Sequence, residues 1–346
     1  MEVSALAWIV LIAIILVMIA VDLLGHVRTP HAPSLKEAAW WSVGYVAMAI
    51  VFGFVIWATS GSRYAGEYFA GYITEKSLSV DNLFVFVIII AAFRVPREFQ
   101  QKVLMWGIVM ALAMRGVFIA VGAAVIDQFT WVFYLFGAFL LYTAIAQARQ
   151  GLERPGEHDG GDYSENALVR GVRRIFPVTD GFRGGKLLHR TSGKTFITPL
   201  LITIFAIGTA DLMFAIDSIP AIFGLTQEPY LVFAANAFSL LGLRQLYFLI
   251  DGLLDRLVFL HYGLAAILGF IGVKLVIHAL HENELPFING GEPWLGLPEP
   301  TIAVSLGFII GVLAITVVAS IWKNNKDARA VAATEQGAPE EEHSDR

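Results

Sequence analysis

The 346 residues are 57% hydrophobic and only 15% charged, with a mean hydropathy of +0.67, a balance that ordinary soluble domains do not carry. A net charge of -5 offers no basic surface for nucleic acid, and the lack of any cysteine excludes disulfides, thiolate metal sites and cysteine nucleophiles. The chain reads as a membrane protein whose first partner is the lipid bilayer.

A helix needs about 20 apolar residues to cross a hydrocarbon core of about 30 Å. The first such run, residues 5–24, has no basic leader and no small-residue cleavage site, which predicts a retained span. Further spans are predicted near 38–59, 70–92, 103–126 and 129–148, so residues 1–149 form a first membrane half of five spans. Residues 150–196, rich in Gly, Asp and Arg, are predicted as a cytoplasmic loop. Spans six to nine, near 197–224, 230–250, 257–280 and 301–322, make a second half over 197–322. Residues 323–346 end in EQGAPEEEHSDR and read as a disordered cytoplasmic tail. The expected fold class is all-α, a polytopic transmembrane bundle of about nine spans.

Lysine and arginine set the expected orientation. With the N-terminus outside, the cytoplasmic segments hold Arg28, Lys36, Arg94, Arg97, Lys102, the basic residues from Arg149 to Lys194, Arg256, Lys323, Lys326, Arg329 and Arg346. The external loops hold only Arg63, and the loop at 282–300 is acidic through Glu282, Glu284, Glu292 and Glu299. The C-terminus is then cytoplasmic, and a plasma or inner membrane fits this pattern.

Spans three and six are expected to run in opposite directions, and their motifs align. Laying Asp81 on Asp217 matches Val80 with Ile216, Asn82 with Ser218, Leu83 with Ile219, and Glu75 with Asp211. One helix further on, LAMRGVF lies over LGLRQLY, matching Arg115 to Arg244. This predicts a 3+3 inverted repeat, the plan that places a substrate site near the bilayer midplane. The alternative is chance similarity between apolar helices.

Glu75 and Asp81 stand six residues apart, as do Asp211 and Asp217, so an ideal helix turns each pair about 120° apart. Either the cavity is wide or the helices unwind between the carboxylates. Pro220 favours unwinding in the second half, because it lacks the N–H that would bond the Ile216 carbonyl. Each ionisable group at membrane depth costs at least about 2.5 to 3.5 kcal/mol, a penalty that a bound cation or a proton would offset. Carboxylate, amide and hydroxyl oxygens suit hard divalent ions such as Mn²⁺. The expected metal-binding residues are Glu75, Asp81, Asn82, Asp211, Asp217 and Ser218. On the structural alternative, Asp81 and Asp217 pair with Arg115 and Arg244. Lys274 is a further ion-pair or gating candidate, or the cation that fills the site when no metal does.

Weaker candidates flank these. Asp22, near the inner end of the first span, could line an exit path but reads better as a solvated helix end. Met213 could be a soft ligand but reads better as a packing residue. His278 and His281 could gather metal at the outer mouth.

These motifs resemble those of the TerC/Alx family of integral membrane proteins. The resemblance rests on GYITEKSLSVDNLFVF (residues 71–86), KVLMWG (102–107), FGAFLLYTA (136–144), and DLMFAIDSIPAIF (211–223) running on into FAANAFSLLGLRQLYFLI (233–250). It implies a multi-span metal-ion transporter linked to manganese export, in a family named for tellurium resistance and similar in repeat plan to LysE-type exporters. Carried over residue by residue, it points at Glu75, Asp81, Asn82, Asp211, Asp217 and Ser218. Tellurite itself, an oxyanion, would want cationic or N–H donors, whereas the chemistry here is acidic.

The expected function is therefore export of a divalent cation, Mn²⁺ favoured, against protons. The metal is cargo, no prosthetic group is expected, and the protein is not expected to be an enzyme. Two other classes compete with this reading. An intramembrane aspartyl protease also needs two aspartates, yet Asp217 follows FAI and lacks the Gly-x-Gly such proteases carry. A membrane subunit of a stress-resistance complex without transport of its own would use the long central loop as a docking surface.

Overall fold

The structure is a computed structural model that describes residues 1, 3–24, 34–150, 178–179, 182, 184–191, 194–250, 258–294 and 296–336. Its helices are α1 (Ala5–Asp22), α2 (Leu35–Ser60), α3 (Ser62–Ala92), α4 (Arg97–Gln128), α5 (Val132–Gln150), α6 (Pro199–Phe223), α7 (Pro229–Leu241), α8 (Leu243–Ile250), α9 (Leu260–His281) and α10 (Ile302–Gln336). Eight stretches, with α7 and α8 counted as one, are long and apolar enough to cross a membrane. The remaining long helix, α3, carries Glu67, Glu75, Lys76 and Asp81, and these charges lower its hydropathy although it lies among α2, α6, α7 and α10. The nine expected spans are thus matched by eight apolar stretches and one charged helix in their midst.

Local chemistry sets where the helices begin. Ser4 and Ser34 cap α1 and α2, their hydroxyls accepting from the amides of Ala7 and Glu37 at 3.2 Å. Pro199 and Pro229 open α6 and α7, where a missing N–H costs nothing. The turn between α2 and α3 places Gly61 at φ 95°, a left-handed conformation that favours glycine.

Small residues let the helices meet closely. A Cβ added to Gly137 in α5 would lie 3.0 Å from the Gly272 carbonyl in α9, and one added to Gly272 would lie 3.1 Å from the Gly137 carbonyl. Backbone meets backbone there, so α5 and α9 pack in close contact. α4 crosses α6 with Gly107 against Ile207 and Gly208 against Met110. By contrast α1, α2 and α10 show exposed apolar faces, including Leu6, Val17, Val51, Ile315 and Val318, which are the surfaces left to lipid.

Three features differ from the sequence expectations. Helix α6 stays helical through Pro220, so the two carboxylates are not separated by unwinding. Helix α10 runs on to Gln336, past the span expected to end at 322, and 337–346 lie outside the described residues. In the central loop, Leu188–Thr191 and Lys194–Ile197 pair as a short antiparallel ribbon, while 151–177 lie outside the described residues.

Candidate functional site

Glu75, Arg115 and Asp211 each lie near the middle of a long helix, α3, α4 and α6, and Asn236 lies near the middle of α7. Their side chains converge. The Arg115 guanidinium forks onto Asp211, Nε donating to Oδ2 at 2.7 Å and Nη2 to Oδ1 at 3.1 Å. Its Nη1 donates to Glu75 Oε1, to Asn236 Oδ1 at 2.6 Å and to Ser218 Oγ at 3.1 Å. Four of these residues are completely buried and Ser218 is 2% exposed.

Within the hydrogen-bonded cluster, two carboxylates face one guanidinium, so with both ionised it carries one excess negative charge in a site screened from water, and the Lys76 ammonium, next to Glu75 on α3, is a neighbouring cation that it does not bond. Glu75 Oε2 and Asn236 Nδ2 are buried without a hydrogen-bond partner among the described residues. An orphaned carboxylate oxygen beside excess negative charge is the chemistry that accepts a proton or a cation.

Both arginines have partners that the sequence did not suggest. Arg115 binds Glu75 and Asp211, and Arg244 Nη2 donates to Asp22 Oδ1 at 2.7 Å. Asp22 is 1% exposed, so the solvated-end reading of it fails. Ser218 joins the Arg115 group, whereas Asp217 lies half-buried on the adjoining face of α6. Asn82 is buried about two turns beyond Glu75 and makes none of the hydrogen bonds found to Arg115. The Asp81 side chain lies outside the described residues. Met213 is 69% exposed, as a lipid-facing residue would be.

Lys274 is 6% exposed and lines a separate cavity of about 540 Å³ with Glu67, Thr226 and Glu299, so it is not the cation that fills the central site. His278 reaches Glu299 at 3.4 Å, and that hydrogen bond holds the Glu299 carboxyl below the usual carboxylate range. His281 Nε2 lies 2.7 Å from the Leu297 carbonyl. Among the described residues, no three His, Asp or Glu side chains converge as a ready cage for a metal ion.

Sequence reasoning missed Asn236 and Glu67. Apart from Tyr230 near its start, α7 carries only two polar side chains, Asn236 and Ser239, and an amide in so apolar a helix was the available signal. Glu67 lies two turns before Glu75, outside the denser motif that draws attention.

The Asp22–Arg244 pair yields a prediction. Changing Asp22 to Asn leaves Arg244 buried beside Gln101 and Gln245, whose side-chain amides already lack partners among the described residues, as does Arg244 Nη1. Stability is expected to fall by about 3 to 5 kcal/mol, while the double change Asp22→Asn/Arg244→Met restores most of it. Thermal melting in detergent checks this, and an unchanged melting temperature in Asp22→Asn would show that the pair is not structural.

The profile of the "Integral membrane protein TerC family" matches residues 60–328, which include every member of the Arg115 cluster. The chain belongs to this family. An uncharacterized membrane protein of Mycobacterium tuberculosis is 51% identical over 327 residues, covering 93% of this chain and 80% of that protein. One from Myxococcus xanthus is 38% identical over 317 residues, covering 92% of each. A protein of Escherichia coli K12 named "Putative membrane-bound redox modulator Alx" is 35% identical over 330 residues, covering 93% of this chain and 96% of its own length. No solved structure matches the chain.

Proposed function

We propose that this TerC-family protein is a carrier that exports a divalent cation, Mn²⁺ favoured, in exchange for protons. The observation that carries the reading is the pair of buried carboxylates, Glu75 and Asp211, sharing one guanidinium with a carboxylate oxygen left over. Carboxylate, amide and hydroxyl oxygens from Glu75, Asp211, Asn236 and Ser218 are the donors that Mn²⁺ and similar hard ions take. Metal and proton would compete for the same oxygens, so alternate exposure of one site to the two sides yields exchange without a separate coupling device. Asp81, Asn82 and Asp217, farther along the same helices, are proposed to line the path to the site.

The packing supports an inverted repeat that relates α3, α4 and α5 to α6, α7 with α8, and α9. The pairing of α4 with α6 has its counterpart in α3 with α7, and α5 meets its own counterpart α9 at Gly137 and Gly272. The Arg115 site lies between the two proposed halves.

Against the intramembrane-protease reading stands the guanidinium fork that holds both oxygens of Asp211. A redox role like that in the E. coli relative's name could not run through thiols, because this chain has none. Reconstitution decides the matter. Liposomes holding only this protein are expected to move Mn²⁺ faster when protons are supplied on the opposite side, and to move Ca²⁺, Mg²⁺ and Zn²⁺ less. Absence of any cation flux would leave the stress-complex subunit standing.

Orientation is proposed from the charges. Arg94, Arg97, Lys102, Arg149, Lys186 and Lys194 flank one end of the bundle, whereas Glu282, Glu284, Glu292 and Glu299 follow α9 at the other. The basic end is assigned to the cytoplasm, which puts the N-terminus outside a plasma or inner membrane. Single cysteines at Leu188 and Phe287, both exposed, should label from opposite sides, the first only after permeabilisation. Equal labelling in intact cells would defeat this assignment.

A further inference from the structure

At the end of the bundle assigned to the outside lie two cavities of about 530 and 540 Å³, both bordered by Gln227 and His278. Five carboxylates line them, from Glu67, Asp127, Glu228, Glu282 and Glu299, against two basic side chains, Arg63 and Lys274. Most of these groups are already engaged. Glu67 takes a hydrogen bond from Arg63 Nε at 3.0 Å and one from Thr226 Oγ1 at 2.6 Å, and Glu299 contacts His278.

Lys274 differs. It is 6% exposed, borders the larger cavity, and has no hydrogen bond or ion pair among the described residues. Glu67 and Glu299 are the carboxylates whose charges act on it. A nearly buried ammonium that faces two carboxylates and clasps neither is costly to hold as a structural element. It makes sense as a tethered cation occupying a place that another cation can take.

We propose that Glu67 and Glu299 form a second, outer divalent-cation station and that Lys274 is its built-in competitor. This rests on the cation-export reading and deepens it. Glu67 lies eight residues before Glu75 on α3, which places it about 12 Å further out and about 80° around the helix. An ion leaving the Glu75–Asp211 site toward the outside passes this point. There Glu67, Glu299, the Thr226 hydroxyl and solvent oxygens supply hard donors, and the two carboxylates are not a closed cage. The Lys274 charge repels a divalent ion and keeps the station weak. A site on an exit path must bind well enough to receive an ion and poorly enough to release it.

The test is equilibrium Mn²⁺ binding to the purified full chain in nanodiscs, read by the loss of the free-ion electron paramagnetic resonance signal. The wild type and Lys274→Arg are expected to bind alike. Lys274→Met is expected to gain one further Mn²⁺ per chain, or to tighten a weak site by at least ~10-fold, because a like charge across the cavity has gone. Adding Glu67→Gln or Glu299→Gln to Lys274→Met should remove that gain, and adding Glu75→Gln should leave it. Identical binding by wild type and Lys274→Met overturns the proposal. So does a gained site that is indifferent to both Glu67 and Glu299. The readout is binding, so a failure of Mn²⁺ flux in liposomes would sink the export reading while this result stood or fell separately.

Discussion

Glu75→Gln is expected to abolish cation binding at the central site and to lower Mn²⁺ flux by about 100-fold or more while leaving the protein folded. The glutamine keeps an oxygen that can accept from Arg115 Nη1, so the guanidinium is not stranded. What disappears is the excess negative charge, because Arg115 and Asp211 then form a balanced pair. A neutral buried pair has nothing with which to attract a divalent ion. Asp211→Asn should also lose the ion but be less stable, since its amide presents N–H groups to one arm of a fork that needs two acceptors. The double variant Glu75→Gln/Asp211→Asn leaves Arg115 charged and uncompensated, at a cost of about 3 to 5 kcal/mol. The loss of binding is shared by all three variants, and the loss of stability belongs chiefly to the double. Calorimetry with Mn²⁺ and thermal melting separate the two effects, and wild-type flux in Glu75→Gln would remove Glu75 from the path.

The spans, the short polar motifs and the acidic chemistry were legible because each depends on local sequence. Apolar length marked the helices to within a few residues, as for Ala5–Asp22 and Leu260–His281. The start of α3 at Ser62 was hidden because Arg63 and Glu67 make its first turns polar, yet Ala65, Glu67 and Tyr68 are already buried. The break between α7 and α8 was hidden too. Gly242 leaves room for the Lys76 ammonium, which donates to the Ser239 carbonyl at 3.2 Å. That contact joins residues far apart in sequence, and neither helix announces it.

Partners within the site were less legible than its members. The sequence alignment matched Glu75 to Asp211 and Asp81 to Asp217 but could not say which pair faced inward. The angular argument already held that one helix face could not present both. The structure turns Glu75 and Asp211 toward Arg115 and leaves Asp217 half-buried, with the helices intact. The alignment also matched Arg115 to Arg244, yet the two arginines have different partners. Arg244 meets Asp22 of α1, a helix outside the proposed repeat, and only contacts across the chain could reveal this.

Arg115→Gln is the second change with a large expected effect. It leaves Glu75 and Asp211 facing each other in a completely buried site, and the substituted amide has too few donors to replace the hydrogen bonds of the guanidinium. In a chelator the variant should lose about 3 to 5 kcal/mol of stability. Arg115→Lys should recover only part of this, because a compact ammonium with three donors cannot fork onto Asp211 while also reaching Glu75, Asn236 and Ser218. If the two carboxylates are the cation's ligands, the missing charge can be replaced from solution. Saturating Mn²⁺ should then raise the melting temperature of Arg115→Gln more than that of the wild type, by the equivalent of about 2.7 kcal/mol at a concentration of 100 times Kd. Mg²⁺ should act more weakly, since it demands near-ideal octahedral geometry and gives up water reluctantly. Melting curves across a titration of each metal measure this directly. An Arg115→Gln protein that is unstable and insensitive to every divalent ion would make the cluster a structural ion-pair network. The cargo would then have to bind elsewhere, with Asp81 and Asp217 the next carboxylates to test.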